Sequence, residues 1–191
     1  MTTATTILDE IIEYRHREVE ERRQALPEEF LARRARPMMP PRDFAAALRR
    51  KNGDPPHVIA ELKRASPSKG VIRKDFSVVQ LARELTANGA CALSVLTEKH
   101  YFQGGYRNLR IAADLVSVPL LCKDFIMETY QLCEARLYGA DAVLLIVAAL
   151  GADRLRHLRD EAAELGLQVL AEVHNQEELD TALAAGAEVI G

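Results

Sequence analysis

Three apolar runs of this 191-residue sequence end in charged residues suited to proton transfer. The first closes on Glu61-Leu62-Lys63, the second, 118–122, is followed by Lys123-Asp124-Phe125, and the third, 168–171, by Glu172-Val173-His174. On an extended strand successive side chains point to opposite faces, so Glu61 and Lys63 share one face and Leu62 takes the other. An ammonium between carboxylates can donate a proton, and a carboxylate against an apolar wall can accept one. Lys123, Glu172, Lys63 and Glu61 are therefore the candidate acid/base set. The competing reading is a salt-bridge network that only stabilises. Desolvating several charges is costly, and a cluster of four at the ends of apolar runs favours catalytic use.

The residues nearby add to this chemistry. Arg64-Ala65-Ser66-Pro67-Ser68-Lys69-Gly70 reads as a basic loop able to cover an anionic substrate. Phe76, Tyr101, Phe102 and Phe125 lie near the same run ends, and Phe102 and Phe125 are the preferred walls of an aromatic pocket. The five histidines show no H-E-x-x-H or other ligand spacing, so no metal is expected. Cys91 and Cys122 fall inside apolar runs, which disfavours a nucleophilic thiol. With Cys133 they make three, an odd number without C-x-x-C spacing, as for reduced thiols rather than a disulfide framework.

The elements that must position these groups follow from periodicity. Short β-rich runs at 57–62, 91–96, 118–123, 141–147, 167–173 and 187–191 alternate with helical segments, which predicts βα units and a parallel sheet. Val78, Leu81, Ala82 and Leu85, and again Leu155, Leu158, Ala162 and Leu165, trace sheet-covering helix faces. Asn175 with Glu178 forms a capping-box-like helix start. Gly-Ala pairs recur at 89, 139 and 186, so two units take about 50 residues and eight would take about 200, in line with a (β/α)8 barrel of roughly 250 residues. The expected fold is thus α/β: an incomplete (β/α)8 TIM barrel over 57–191, with five βα units and a sixth strand, and an N-terminal helical extension over 1–56. Alternate strands of such a barrel feed one interior layer, so the four candidates would converge. An open doubly wound sheet remains the alternative, although neither G-x-G-x-x-G nor a P-loop is present.

In the extension, Ile7, Leu8, Ile11, Ile12 and Val19 mark one amphipathic helix, and the prolines at 27, 37, 40 and 41 punctuate helical pieces at 28–35 and 43–51. The charge run from Arg15 to Arg23 is expected to be that helix's solvated face. Arg33, Arg34, Arg36, Arg49, Arg50 and Lys51 are given no role. With 48% hydrophobic and 28% charged residues and a net charge of −3, the composition fits a globular chain without a field for nucleic acid or membrane. Met1 to Glu10 lacks the pattern of a secretory leader, and no run approaches about 18 apolar residues, so a cytoplasmic location is expected.

The segments 58–70 (VIAELKRASPSKG), 94–106 (SVLTEKHYFQGGY), 119–126 (PLLCKDFI), 143–147 (VLLIV) and 170–174 (LAEVH) together resemble, in order and spacing, the indole-3-glycerol-phosphate synthases of tryptophan biosynthesis. The resemblance implies a (β/α)8 barrel that converts 1-(2-carboxyphenylamino)-1-deoxyribulose 5-phosphate to indole-3-glycerol phosphate, a carboxy-lyase without cofactor. It implies Lys123 as general acid, Glu172 as general base, Lys63 as the group steering the substrate carboxylate, and Glu61 as the group positioning Lys63 and the substrate hydroxyls. Ser66 would add a polar contact, and Phe102, Phe125 and Leu144 would clamp the aromatic ring. The implied partner is this phosphorylated aromatic small molecule, with fusion to or association with other tryptophan-pathway enzymes left open. Family members continue with an asparagine segment, a serine at a seventh strand and phosphate-binding turns after strands seven and eight. Those positions have no counterpart here, so the isolated chain is expected to be poorly folded or inactive. Two other readings stay open: a Schiff-base aldolase with Lys123 or Lys63 as nucleophile, and a non-catalytic half-barrel that binds a partner chain.

Overall fold

The computed structural model describes residues 6–191, so the first five residues of the leader and extension readings lie outside the described residues. Six parallel strands form one sheet: β1 (Val58–Leu62), β4 (Ala90–Leu96), β5 (Leu120–Lys123), β6 (Ala142–Ile146), β7 (Gln168–Glu172) and β8 (Val189–Ile190). Between β1 and β4 a small antiparallel pair, β2 (Ala65–Ser66) and β3 (Gly70–Val71), occupies what the sequence predicts as plain loop. The main sheet runs in sequence order, β1-β4-β5-β6-β7-β8, without the reversal that a doubly wound fold requires. The result is a half-barrel of TIM-barrel type. Five of its strands are one to three residues shorter than their apolar runs, because pairing stops where the chain turns into its loops, and β4 is one residue longer, starting at Ala90.

Alternation along the strands separates two cores. Outward residues such as Leu62, Leu93, Val95, Leu120, Val143, Leu145, Val169 and Ala171 pack under the covering helices. These are α4 (Val78–Ala87), α5 (Tyr106–Leu115), α6 (Thr129–Leu137), α7 (Val147–Glu164) and α8 (Gln176–Ala184). Inward residues Ala92, Leu121 and Ala142, with Ile59, Leu170 and Val189, close around Phe44. The glycines at 89, 139 and 186 end helices α4, α6 and α8 at φ of 93°, 91° and 78°, the left-handed conformation that their spacing predicts. The helix start at Asn175 is also observed, with one difference. Asn175 Oδ1 accepts from Glu178 N–H at 2.9 Å, but Glu178 returns its bond to the N–H of His174 rather than of Asn175.

The extension contributes α1 (Ile7–Ala25), α2 (Glu28–Ala35) and α3 (Phe44–Leu48), the last shorter than the expected 43–51. Helix α3 brings Phe44, fully buried, to the amino-terminal floor of the barrel. It is tied there by Arg42, whose backbone N–H and Nε both donate to Asp141, and by Gln168, whose amide spans Asp43 and the N–H of Ala45. Helix α1 corrects the sequence reading. Its buried stripe is Ile11, Arg15 and Val19, so Arg15 faces inward rather than belonging to the solvated face. Helix α6 is buried on nearly all sides because α1 and α2 cover it opposite the sheet, which explains why its sequence shows little amphipathicity.

Candidate active site

The four charged candidates gather at the carboxyl ends of the strands as two ion pairs. Lys63, one residue past β1, pairs with Glu61 on the same face, and Lys123 Nζ donates to Glu172 Oε2 at 3.3 Å. The second pair joins β5 to β7 over the inner face of β6. All four side chains keep roughly a third of their surface open, so a ligand in the barrel mouth would reach each of them. His174 extends the second pair outward, with Nε2 at 3.7 Å from Glu172 and Nδ1 at 3.5 Å from Glu178.

The two preferred aromatic walls also meet. The rings of Phe102 and Phe125 lie 6.0 Å apart at 39°, close enough to form one apolar surface. Leu144 is buried on β6, opposite Leu170 in register, and by alternation points inward between the strands of the second pair. Ser66 is half-buried on β2, opposite Gly70, and no hydrogen bond joins its hydroxyl to the other candidates among the described residues. Its segment is moored to the aromatic wall, since the N–H of Ala65 donates to the carbonyl of Phe102 at 3.3 Å.

Several residues that shape the site are not apparent from sequence. Glu98, fully buried just beyond β4, accepts the backbone N–H groups of His100, Tyr101 and Phe102 at 2.7, 2.7 and 2.9 Å. Gly104 closes that turn, where a Cβ would run into the carbonyl of Leu96. Gln131 on α6 performs a similar task for the other wall: its amide donates to the Phe125 carbonyl and accepts from the N–H groups of Met127 and Glu128. Ser94, opposite Glu61 in register, places a buried hydroxyl on the inner face with no hydrogen-bond partner among the described residues. The only advance signal was a polar residue, Ser94 or Glu98, in or just after an apolar run.

The thiols do not compete for a catalytic role. Burial, reinforced by the charge of Asp124, pushes the Cys122 thiol far up, and burial pushes Cys133 up to about 11. Cys91 is half-buried and its Sγ lies 3.3 Å from the carbonyl of Val58. Among the described residues no three His, Cys, Asp or Glu side chains gather as a metal site, and no helix is long and apolar enough to cross a membrane.

The family model described as indole-3-glycerol phosphate synthase matches residues 8–191. The chain belongs to the indole-3-glycerol phosphate synthase family. It is 48% identical over 192 residues to the indole-3-glycerol phosphate synthase of Roseiflexus castenholzii, covering 97% of this chain and 71% of that protein. It is 46% identical to the synthase of Chloroherpeton thalassium, covering 97% and 72%. A solved structure, KGPDC from Streptococcus mutans, superposes with a TM-score of 0.53 at 12% identity, over 71% of this chain and 63% of that one. That likeness bears on the fold alone. Membership in the synthase family removes the ground for the aldolase and partner-binding readings and makes the chain a carboxy-lyase of tryptophan biosynthesis, acting on a phosphorylated small molecule.

Proposed function

We propose that the barrel mouth closes the pyrrole ring of 1-(2-carboxyphenylamino)-1-deoxyribulose 5-phosphate, and that the Lys123–Glu172 pair carries the proton transfers. The observation behind this is the ion pair set beside an apolar clamp, with Lys123 and Phe125 two residues apart on one strand end. Phe102, Phe125 and Leu144 hold the aromatic ring so that its carbon faces the substrate carbonyl. Lys123 protonates the carbonyl oxygen as the new carbon–carbon bond forms, and stabilises the charge that develops there. The ring carboxylate, steered by Lys63, leaves as carbon dioxide and its bonding electrons restore the aromatic ring. The hydroxyl left by the carbonyl takes a second proton and departs as water, and Glu172 removes the ring proton that completes the indole. Glu61 orients Lys63 and the substrate hydroxyls, and Ser66 adds a polar contact. Much of the rate would come from holding the two reacting carbons together.

The same reading takes 57–191 as barrel and 1–56 as an extension of one structural domain, and extends the six strands seen here to the eight-unit closure of the family. Three cysteines outside any disulfide suit a reducing cytoplasm. Fusion to or association with other enzymes of the pathway is compatible with this arrangement. The test is direct because the chain contains no tryptophan, so indole fluorescence arises from product alone. Appearance of that fluorescence with the anilino-deoxyribulose phosphate, lost in Lys123→Ala, is the result this reading expects, and it would overturn the expectation of an inactive chain drawn from sequence. A borohydride-trapped adduct on Lys123 or Lys63 would instead establish Schiff-base chemistry.

A further inference from the structure

Arg15 is a charged residue in the middle of the buried stripe of α1, and only 1% of it is exposed. Its Nη2 donates to Asp124 Oδ2 at 2.9 Å, and it also pairs with Glu18 one turn along the helix. Thr97 Oγ1 donates to the same Asp124 oxygen at 2.6 Å, while Asp124 Oδ1 accepts the N–H of Phe125 at 2.8 Å. Beside them the N–H of Thr97 donates to the carbonyl of Lys123 at 3.1 Å. Burial works against the guanidinium charge, and Asp124, Tyr106 and Glu18 together more than offset it, so Arg15 stays charged.

The place of this pair is more informative than its strength. Desolvation makes a buried ion pair a poor source of net stability, and in some proteins such a pair serves instead to fix one arrangement over others. Here the arrangement fixed is the residue between Lys123 and Phe125. The neighbouring residue of the helix repeats the pattern: Tyr14 stacks on His100, centroids 4.6 Å apart, within the segment that presents Phe102. Two consecutive residues of α1 therefore reach both segments that carry the aromatic clamp.

We propose that Arg15, acting through Asp124 and Thr97, is a positioning residue that sets Lys123 and Phe125 in register for ring closure. This rests on the roles proposed above for those two residues. Removing the clamp leaves the acid in place but loosely aimed, and a displacement of about 1 Å can cost as much as a hundredfold in rate.

The experiment compares Arg15→Met, Asp124→Asn, their double variant and Thr97→Val, each assayed by indole fluorescence well below its melting temperature. The expected result is a fall in kcat of roughly tenfold to hundredfold with KM changed by less than about threefold, and a double variant no worse than its worse single one. Thr97→Val keeps the ion pair and decides the matter should Arg15→Met not fold. A kcat within about twofold of the parent in the folded variants, with only the melting temperature lowered, overturns the proposal and leaves the pair purely structural. Lys123→Ala, assayed in parallel, separates the two levels. Full turnover there overturns the role of Lys123 itself, whereas lost turnover there beside normal kcat in the Arg15 and Thr97 variants overturns only the clamp.

Discussion

Lys123 Nζ lies 3.3 Å from Glu172 Oε2, although the strands that bear them are separated by a third. The contact spans the inner face of β6, where Leu144 supplies an apolar bed. The proposed proton donor and acceptor thus share one hydrogen bond, and on that proposal substrate must part them to use either.

Removing either partner should therefore expose the division of labour. Lys123→Ala and Glu172→Gln are each expected to lower kcat by about 10²–10⁴-fold. If the two act on one proton path, the double variant will fall by less than the product of the single losses. Steady-state fluorescence assays on the three proteins measure this.

Phe102→Ala and Phe125→Ala are expected to weaken substrate binding more than they slow chemistry. Each removes one side of a shared apolar surface, so KM should rise by roughly tenfold, and a titration of product fluorescence should show the same loss of affinity.

Glu98 holds three N–H groups of the segment that carries Phe102, and hydrogen bonds to a charged group contribute about 1.5–3 kcal/mol each before coupling is considered. Glu98→Ala should lower stability by several kcal/mol and raise KM with it, whereas Glu98→Gln, which keeps acceptor capacity on one oxygen only, should fall between. Denaturant melts beside the kinetic assays separate the two effects. Equal stability in all three proteins would contradict this account.

Glu134 on α6 gives the α1–α6 contact a pH dependence. Burial pushes its carboxyl up to about 7, and Arg22 at 3.0 Å offsets that only in part. The folded protein therefore binds this proton more tightly than the unfolded chain, whose carboxyl titrates near the ordinary value of 4.5. The associated stability is fully present below pH 4.5 and is lost as pH rises through about 7. Glu134→Gln should flatten this part of the stability profile and leave the protein more stable at pH 8, by on the order of 2 kcal/mol less whatever the Arg22 contact contributes. Thermal melts of both proteins between pH 5 and 8 test it.

Phe44→Ala would leave a hole at the barrel floor and should lower stability by about 3–5 kcal/mol. Because the mouth lies at the opposite ends of the strands, kcat at low temperature should change little. A large loss of kcat without loss of stability would be the contrary outcome.

The sequence announces the charged rim because each of its members follows a strand-length apolar run, and strand alternation is enough to pair Glu61 with Lys63. It also announces the sheet and most of its covering helices, since both periods are strong there. Arg15 escapes notice because helical periodicity assigns a charge to the side away from the apolar stripe, and only the tertiary partner Asp124 reverses that. Glu98 and Gln131 are hidden for another reason: they bind backbone groups of irregular segments, which leave no pattern in side-chain type. Phe44 sits on a helix too short to display a period. The hairpin β2–β3 lies in a Pro- and Gly-bearing stretch that reads as loop because each of its strands has only two residues.

Two of the extension's charged anchors lie far downstream: Arg15 finds Asp124 109 residues later, and Arg42 finds Asp141 99 residues later. A ribosome adding roughly 5–20 residues per second makes Arg15 some 5–20 s before its acceptor exists. The extension is thus made well before the segments that anchor it, and α1 stays undocked until then with a charge on its apolar stripe. Arg15 interrupts that stripe between Ile11 and Val19, so the waiting face offers less continuous apolar surface than its other residues alone would suggest.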